Sequence, residues 1–359
     1  MTTYDEQPDL RARRLSLAEI LEVITDGDRL PLRFTAYDGS ATGPDDAELG
    51  LDLRTPRGTT YLATAPGDLG MARAYVSGDL EMQGVHPGDP YPLLRAMADD
   101  LTFRRPPARM LANIVRSIGV EHLRPIAPPP QEALPRWRRI AEGFRHSKTR
   151  DAEAIHHHYD VSNTFYEWVL GPSMTYTCAC YPHADATLEE AQENKYRLVF
   201  EKLRLRPGDR LLDVGCGWGA MVRHAARHGV RAIGVTLSAE QADWAQRKIA
   251  EEGLDELAEV RHGDYRDVGE SGFDAVSSIG LTEHIGVANY PSYFGFLKSK
   301  LRTGGLLLNH CITRPDNKTT ATGGFIDRYV FPDGELTGSG RIITAVQNVG
   351  LEVTHEENL

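Results

Sequence analysis

RLLDVGCGWG, residues 210–219, decides the fold of this 359-residue chain. An apolar run of strand length ends at Asp213 and Val214, and glycines then fill every second position, Gly215, Gly217 and Gly219. Glycine lets a backbone turn sharply and approach a ligand closely, and the helix predicted from AMVRHAARHG behind it offers unbonded amides. This spacing is not the G-x-G-x-x-G of dinucleotide folds. Working outward, RAIGVTLS, AEVRHGDY, FDAVSSIG and GLLLNHCIT read as four further strands. AEQADWAQRKIAEEG and PSYFGFLKSKLR read as helices between them. Strict alternation predicts a parallel sheet covered by helices on both faces. Its ligand belongs at the carboxyl ends of the strands, beside the switch in strand order.

Asp213 is suited to balance an ammonium group. The second strand ends without an acidic residue. Thr236 and Gln241 are therefore the candidates for hydrogen-bonding a ribose, while Ser238 reads as the cap of the next helix. Asp264 and Tyr265, closing the third strand, are candidates for an amide contact and a stacking ring.

Upstream, LAEILEVITDG has helical spacing, and PLRFTAYDGS with ELGLDLRTPRGTTYLAT alternates like a small sheet. DLGMARAYVSGDLE and YPLLRAMADDL look helical. RMLANIVRSI places Met110, Leu111, Ile114, Val115 and Ile118 on one amphipathic face. Pro125 and Pro128–Pro130 suit a stiff linker. The expected division is an accessory domain over 1–130, a basic linker over 131–155 and the α/β domain over 156–359. His156, His157 and His158 diverge along the chain and do not read as a metal site.

A hydrophobic fraction of 41% is enough to bury a core, and a net charge of −11 argues against nucleic acid as a partner. The charge is uneven, however. From Arg104 to Arg150 stand eleven Lys/Arg against three Asp/Glu, a local +8, leaving −19 for the remainder. That block is either a solvated face or a contact for an anionic membrane surface. No apolar run nears the ~18 residues of a membrane span. Cys178, Cys180, Cys216 and Cys311 read as reduced thiols.

The motifs YDVSN (159–163), MTYTC (174–178), LLDVGCGWG (211–219), GVTLSAEQ (234–241), DYRD (264–267), EHIG (283–286), NHCIT (309–313) and FIDRYVFPDGEL (325–336) occur in order over residues 150–359. Together they resemble the cyclopropane-fatty-acyl-phospholipid synthase family, whose relatives also make 10-methylene and mycolic-type products. The resemblance implies an α/β fold: a class I methyltransferase, Rossmann-like, doubly wound sheet, with a smaller mixed α+β N-terminal domain. It implies S-adenosyl-L-methionine as methyl donor. Tyr159, Tyr176 and Thr177 join Asp213, Gly215, Gly217, Gly219, Thr236, Leu237, Gln241, Asp264 and Tyr265 around it. The implied substrate is an unsaturated phospholipid acyl chain, methylated at its double bond through a carbocation. The implied base is a bound bicarbonate, held by Glu283, His310 and the backbone of Cys178. Cys178 is expected to be positional rather than nucleophilic, since no adjacent base is evident. Phe325, Tyr329 and Phe331 fit an acyl-chain wall or, equally well, an ordinary apolar core.

Three departures stand out. Cys180 replaces a more usual aromatic or small residue, and Thr282 stands where Phe commonly precedes Glu-His. The closing GLEVTHEENL reads as a sixth strand, where the family continues with an antiparallel strand, a helical lid and a bicarbonate-site Tyr. The expectation is therefore a C-terminally truncated domain with weak or no activity. Loss of a different proton from the same cation would give a methylene-branched chain, which a reductase partner would saturate. A lipid-binding protein that has lost catalysis is the reading from another class. A cytoplasmic protein, peripheral at the inner face of the membrane, is the expected setting, with a homodimer as one assembly open to it.

Overall fold

Two units emerge from the packing of the computed structural model, which describes residues 13–25, 30–132, 162–318, 320–321, 323–331 and 334–359. The first is Met1–Ala133 with Gly323–Arg328; the second is Leu134–Thr322 with Tyr329–Leu359. Tyr159, the three histidines and residues 133–150 of the basic block lie outside the described residues.

In the first unit α1 (Leu17–Ile24) starts at a capping box. The Ser16 hydroxyl accepts from the Glu19 amide, and the Glu19 carboxylate accepts from the Ser16 amide. Strands β1 (Arg33–Ala36), β2 (Ala41–Thr42), β3 (Gly50–Leu53) and β4 (Leu80–Gln83) form a sheet in the order β2-β1-β3-β4, with only β1 and β3 parallel. The expected continuation of β3 into a second extended stretch is wrong. Pro56–Thr64 is helix α2. Thr55 caps it through the Gly58 amide, and Pro56 sits in the first turn, where its missing N–H costs nothing. Burial of Thr59, Thr60 and Tyr61 then overrides their strand preference.

Helices α3 (Asp68–Val76), α4 (Tyr91–Asp100) and α5 (Ala108–Ile118) complete the unit. The buried stripe of α5 is Met110, Asn113 and Ile114, while Leu111 is 52% exposed. The face is thus turned from the expected one, because Asn113 donates inward to the Arg13 carbonyl at 3.1 Å. Leu32, Leu53, Tyr61, Ala74, Leu80 and Leu93 form the core. At its edge the Glu132 carboxylate is fully enclosed. It accepts from Arg73 at 2.6 and 2.8 Å and from Arg328 at 2.5 and 2.9 Å. Burial alone would raise its proton affinity; the two guanidiniums outweigh that and hold it below the usual range.

The second unit contains α6 (Asn163–Leu170), α7 (Leu188–Lys202), β5 (Arg210–Val214), α8 (Ala220–Arg227), β6 (Arg231–Thr236), α9 (Ala239–Glu251) and β7 (Ala258–His262). It continues with β8 (Phe273–Ile279), the short α10 (Thr282–Ile285), α11 (Tyr290–Lys300) and β9 (Leu301–His310). A short pair, β10 (Thr320–Ala321) and β11 (Glu335–Leu336), precedes α12 (Ser339–Asn348). The main sheet is parallel throughout, in the order β7-β6-β5-β8-β9. The chain winds outward from β5 to β7, then returns to the other side at β8, so the switch point lies between β5 and β8. In β5, Leu211 packs with Val222 and Ala225 on one face, and Leu212 and Val214 with Phe273, Phe294 and Leu297 on the other. Helices cover both faces, so the strand is apolar throughout rather than alternating.

Residues 351–359 form no strand, against expectation. Extended chain becomes sheet only by pairing, and here the Leu351 amide instead donates to Val346 at 3.3 Å while Glu357 pairs with Lys202. Among the described residues no helix is long and apolar enough to cross a membrane.

Candidate active site

The glycine turn lies at the carboxyl end of β5. The amides of Gly215 and Cys216 both donate to the Val235 carbonyl, at 2.9 and 3.0 Å, drawing the turn toward β6. Gly219 precedes α8 with φ of 72°, and a Cβ there would lie 3.0 Å from Val260 and 3.1 Å from Ala245. Left-handed backbone and close helix–strand packing therefore both require glycine. Asp213 is 3% exposed and accepts one bond, from the Ser277 hydroxyl at 2.6 Å. Burial pushes its carboxyl up to about 6, against the opposing effect of that bond. Trp218, inside the turn, donates to the Asn163 side chain at 2.9 Å and packs 4.8 Å from the Tyr166 ring, fixing α6 beside it.

At the end of β6 the Thr236 hydroxyl donates to the Gln241 side-chain oxygen at 2.7 Å, both residues being buried. Ser238 caps α9 by accepting from the Gln241 amide at 3.3 Å. Leu237 is half-buried, with His262 Nε2 3.2 Å from its carbonyl. The Asp264 carboxylate is engaged by Arg266 at 2.5 and 2.7 Å. The Tyr265 ring meets Tyr293 and Phe296 edge-on at 5.5 and 5.2 Å. These bonds are local to the protein, and they leave the Gln241 side-chain NH2 as the donor not engaged by Thr236.

The neighbouring strand ends carry a carboxyl and an imidazole, Glu283 and His310. The Gly280 amide, just after β8, donates to the His310 carbonyl at the end of β9 at 2.9 Å. Glu283, on α10 directly behind β8, accepts from the Ile312 amide at 2.6 Å through Oε1. Its Oε2 is buried and has no partner among the described residues, and burial raises the proton affinity of the carboxyl. His310 Nδ1 is likewise buried and without a partner among the described residues. Burial first, then the charges of Lys195 and Lys202, lower the proton affinity of the ring. A buried carboxyl pushed up and a buried imidazole pushed down thus stand at neighbouring strand ends, and such opposed shifts suit proton transfer.

The expectation that Cys178 has no base beside it is wrong: His310 Nε2 lies 3.4 Å from its sulfur. The two are 132 residues apart, so only folding brings them together. Thr282 is 1% exposed and donates to the Asn309 side chain at 2.7 Å. Tyr176 is 39% exposed, and its ring lies 5.9 Å from Tyr166. Phe325 belongs to the first unit and Tyr329 and Phe331 to the second. Phe331 packs edge-on to His284 at 5.2 Å.

Sequence reasoning missed Lys195. It is 2% exposed, and its ammonium donates to the Thr177 hydroxyl at 2.5 Å and to the Cys178 carbonyl at 2.9 Å. Burial lowers it to about 8, against the raising effect of Cys178 and Cys180. The available signal was spacing: Lys195 stands at i+4 from Ala191 and i−4 from Val199, both on the buried stripe of α7.

A sequence model of the family described as mycolic acid cyclopropane synthetase matches residues 146–359. A probable fatty acid methyltransferase of Mycobacterium tuberculosis is 77% identical over 346 residues, covering 96% of this chain and 81% of that protein. The cyclopropane-fatty-acyl-phospholipid synthase of Escherichia coli K12 is 40% identical over 180 residues, 50% of this chain and 45% of that protein. The chain thus spans less than half the length of the latter. Among solved structures, the mycolic acid cyclopropane synthase CmaA1 complexed with SAH and CTAB is similar at 31% identity and a TM-score of 0.52. That match covers 57% of this chain and 76% of that one.

Proposed function

The chain belongs to the mycolic acid cyclopropane synthetase family, S-adenosylmethionine-dependent methyltransferases of class I fold, and we propose that it converts a double bond of an unsaturated phospholipid acyl chain into a cyclopropane. The observation that carries this reading is the pair of buried atoms without partners among the described residues, Glu283 Oε2 and His310 Nδ1. They belong to adjacent strand ends on the carboxyl edge of the sheet, the edge that bears the glycine turn. Buried polar atoms are normally satisfied; two left open at one edge suit a ligand that accepts and donates.

S-adenosylmethionine supplies an electrophilic methyl group when bound. Asp213, the Gly215–Gly219 turn and the Gln241 side chain fit it, because a buried carboxylate answers its ammonium and the three left-handed glycines let the backbone bend closely beside its amino-acid moiety. An isolated alkene is a weak nucleophile, so the residues must align it and keep water from the cation that methylation leaves on the acyl chain. Closing the ring requires a proton to leave the added carbon. Glu283, His310 and the Cys178 backbone would hold bicarbonate, which supplies the base when bound. Glu283 would orient the anion's hydroxyl through Oε2, and His310 would donate from Nδ1 when that nitrogen carries the proton.

A methylene-branched product is the second reading, kept open by the departures at Cys180 and at Thr282, which is buried and donates to Asn309, because both would reshape the acyl pocket. Acyl chains from cells expressing the protein with methyl-labelled methionine separate the two: ring methylene protons resonate apart from vinylidene protons. Label absent from the acyl chains, with folded protein present, would overturn both. Docking of the 104–150 basic block on anionic lipid is part of this proposal. Neutralising Arg136, Arg138 and Arg139 should reduce sedimentation with anionic vesicles at low salt.

A further inference from the structure

We propose that Lys195 is a positioning residue of the one-carbon transfer site, fixing the Cys178 peptide against which a small oxyanion settles and lending that anion its counter-charge. This rests on the reading that bicarbonate is held by Glu283, His310 and the Cys178 backbone.

Helix α7 grips residues 177–180 from one side. Gln192 donates to the Thr177 carbonyl at 3.0 Å, Asn194 to the Cys180 carbonyl at 2.8 Å, and the Cys180 amide donates to the Ala191 carbonyl at 3.2 Å. Lys195 spans the middle of this grip, bonding the Thr177 hydroxyl and the Cys178 carbonyl. Both peptides that flank Cys178 therefore have their carbonyls tied to α7, the first by Gln192 and the second by Lys195. That fixes the direction of the Cys178 amide, the group expected to face the anion.

A neutral side chain of similar length would fill the same space without the cost of burying charge. Lys195 nevertheless brings an ammonium to a position 2% exposed, and no carboxylate pairs with it among the described residues. Around it stand the Cys178 and Cys180 thiols, the Tyr196 ring at 5.2 Å, and His310, whose ring its charge reaches. Two of its three N–H groups have acceptors. A buried cation with spare donor capacity supplies what a site containing Glu283 lacks, since carboxylate and oxyanion repel each other.

The test is titration of 13C-labelled bicarbonate into the full chain, followed by carbon NMR. Glu283→Gln and Lys195→Met should each weaken binding at least tenfold, while Lys195→Arg, which keeps the charge, stays within about threefold of the wild type. If the wild type binds no bicarbonate, this proposal and the reading beneath it both fall. If Glu283→Gln loses the anion and folded Lys195→Met keeps it, only the role of Lys195 falls. Should Lys195→Met not fold, the wild type labelled with 15N at lysine Nζ gives the same answer. Its Lys195 resonance, assigned by its loss in Lys195→Arg, should move as bicarbonate is added; a fixed resonance overturns the proposal.

Discussion

Glu132 and Glu283 are both carboxylates shut away from solvent, in different units, and their surroundings are opposites. Glu132 has two guanidiniums wrapped around it and its charge is held on. Glu283 has one backbone amide on one oxygen and nothing among the described residues on the other, and its charge is disfavoured. A completed network stabilises a fold, because every desolvated group has an answer. An incomplete one costs stability, and at Glu283 the proposed occupant that answers the open oxygen is bicarbonate. Asp213 stands between them: buried, given one hydroxyl, and left with capacity for a cation.

The contrast can be broken by exchanging a charge for its neutral isostere at each position. Glu283→Gln should lower the rate of labelled-methyl transfer by roughly 10²–10⁴-fold, the usual range for an acid–base group. Its melting temperature should be unchanged or higher, since the variant removes a buried carboxylate that lacks a full set of partners. A matching loss of stability would mean that Glu283 is structural, like Glu132. Glu132→Gln should do the reverse, destabilising its unit by about 3–5 kcal/mol in denaturant unfolding, because Arg73 and Arg328 lose the charge that answers theirs. Thr282→Val, which leaves the Asn309 oxygen without its donor, should cost about 1–3 kcal/mol by the same measurement.

The smallest effect is a pH dependence. The folded carboxyl of Asp213 is raised to about 6 from an ordinary 3.8, so its contribution to stability is greatest below the ordinary value and is lost as pH rises through about 6. Cofactor binding runs the other way, since only the ionised form attracts an ammonium. Affinity for S-adenosylmethionine should fall about tenfold between pH 7 and pH 5, and Asp213→Asn should flatten that slope. Calorimetric titration across this window checks it; an equal slope in the variant assigns the dependence elsewhere.

Much of the α/β unit was legible because its signals are local. RLLDVGCGWG carries strand, turn and helix start within a few residues, and Ser238 announces its cap by position. The alternation of TTYLAT misled, since Thr55 and Pro56 set a helix and burial then decided against strand preference. Leu111 misled because amphipathic spacing defines a stripe to within one residue, and the bond from Asn113 to Arg13 chose its rotation. Lys195 was hidden by its neighbours, for LEEAQENKYRLVFEK reads as a solvated charged helix unless its buried face is known.

The sequence by itself determined the order of strands and helices from β5 to β9, the glycine-rich turn after β5 and the family motifs, because backbone propensity and glycine's freedom act over a few residues. Only the tertiary structure decided that His310 meets the Cys178 thiol and that Lys195 reaches behind it. It also decided that Glu283 and His310 keep one buried atom each without a partner among the described residues. Those facts depend on desolvation and on contacts between distant segments, and neither exists until the sheet has closed around them.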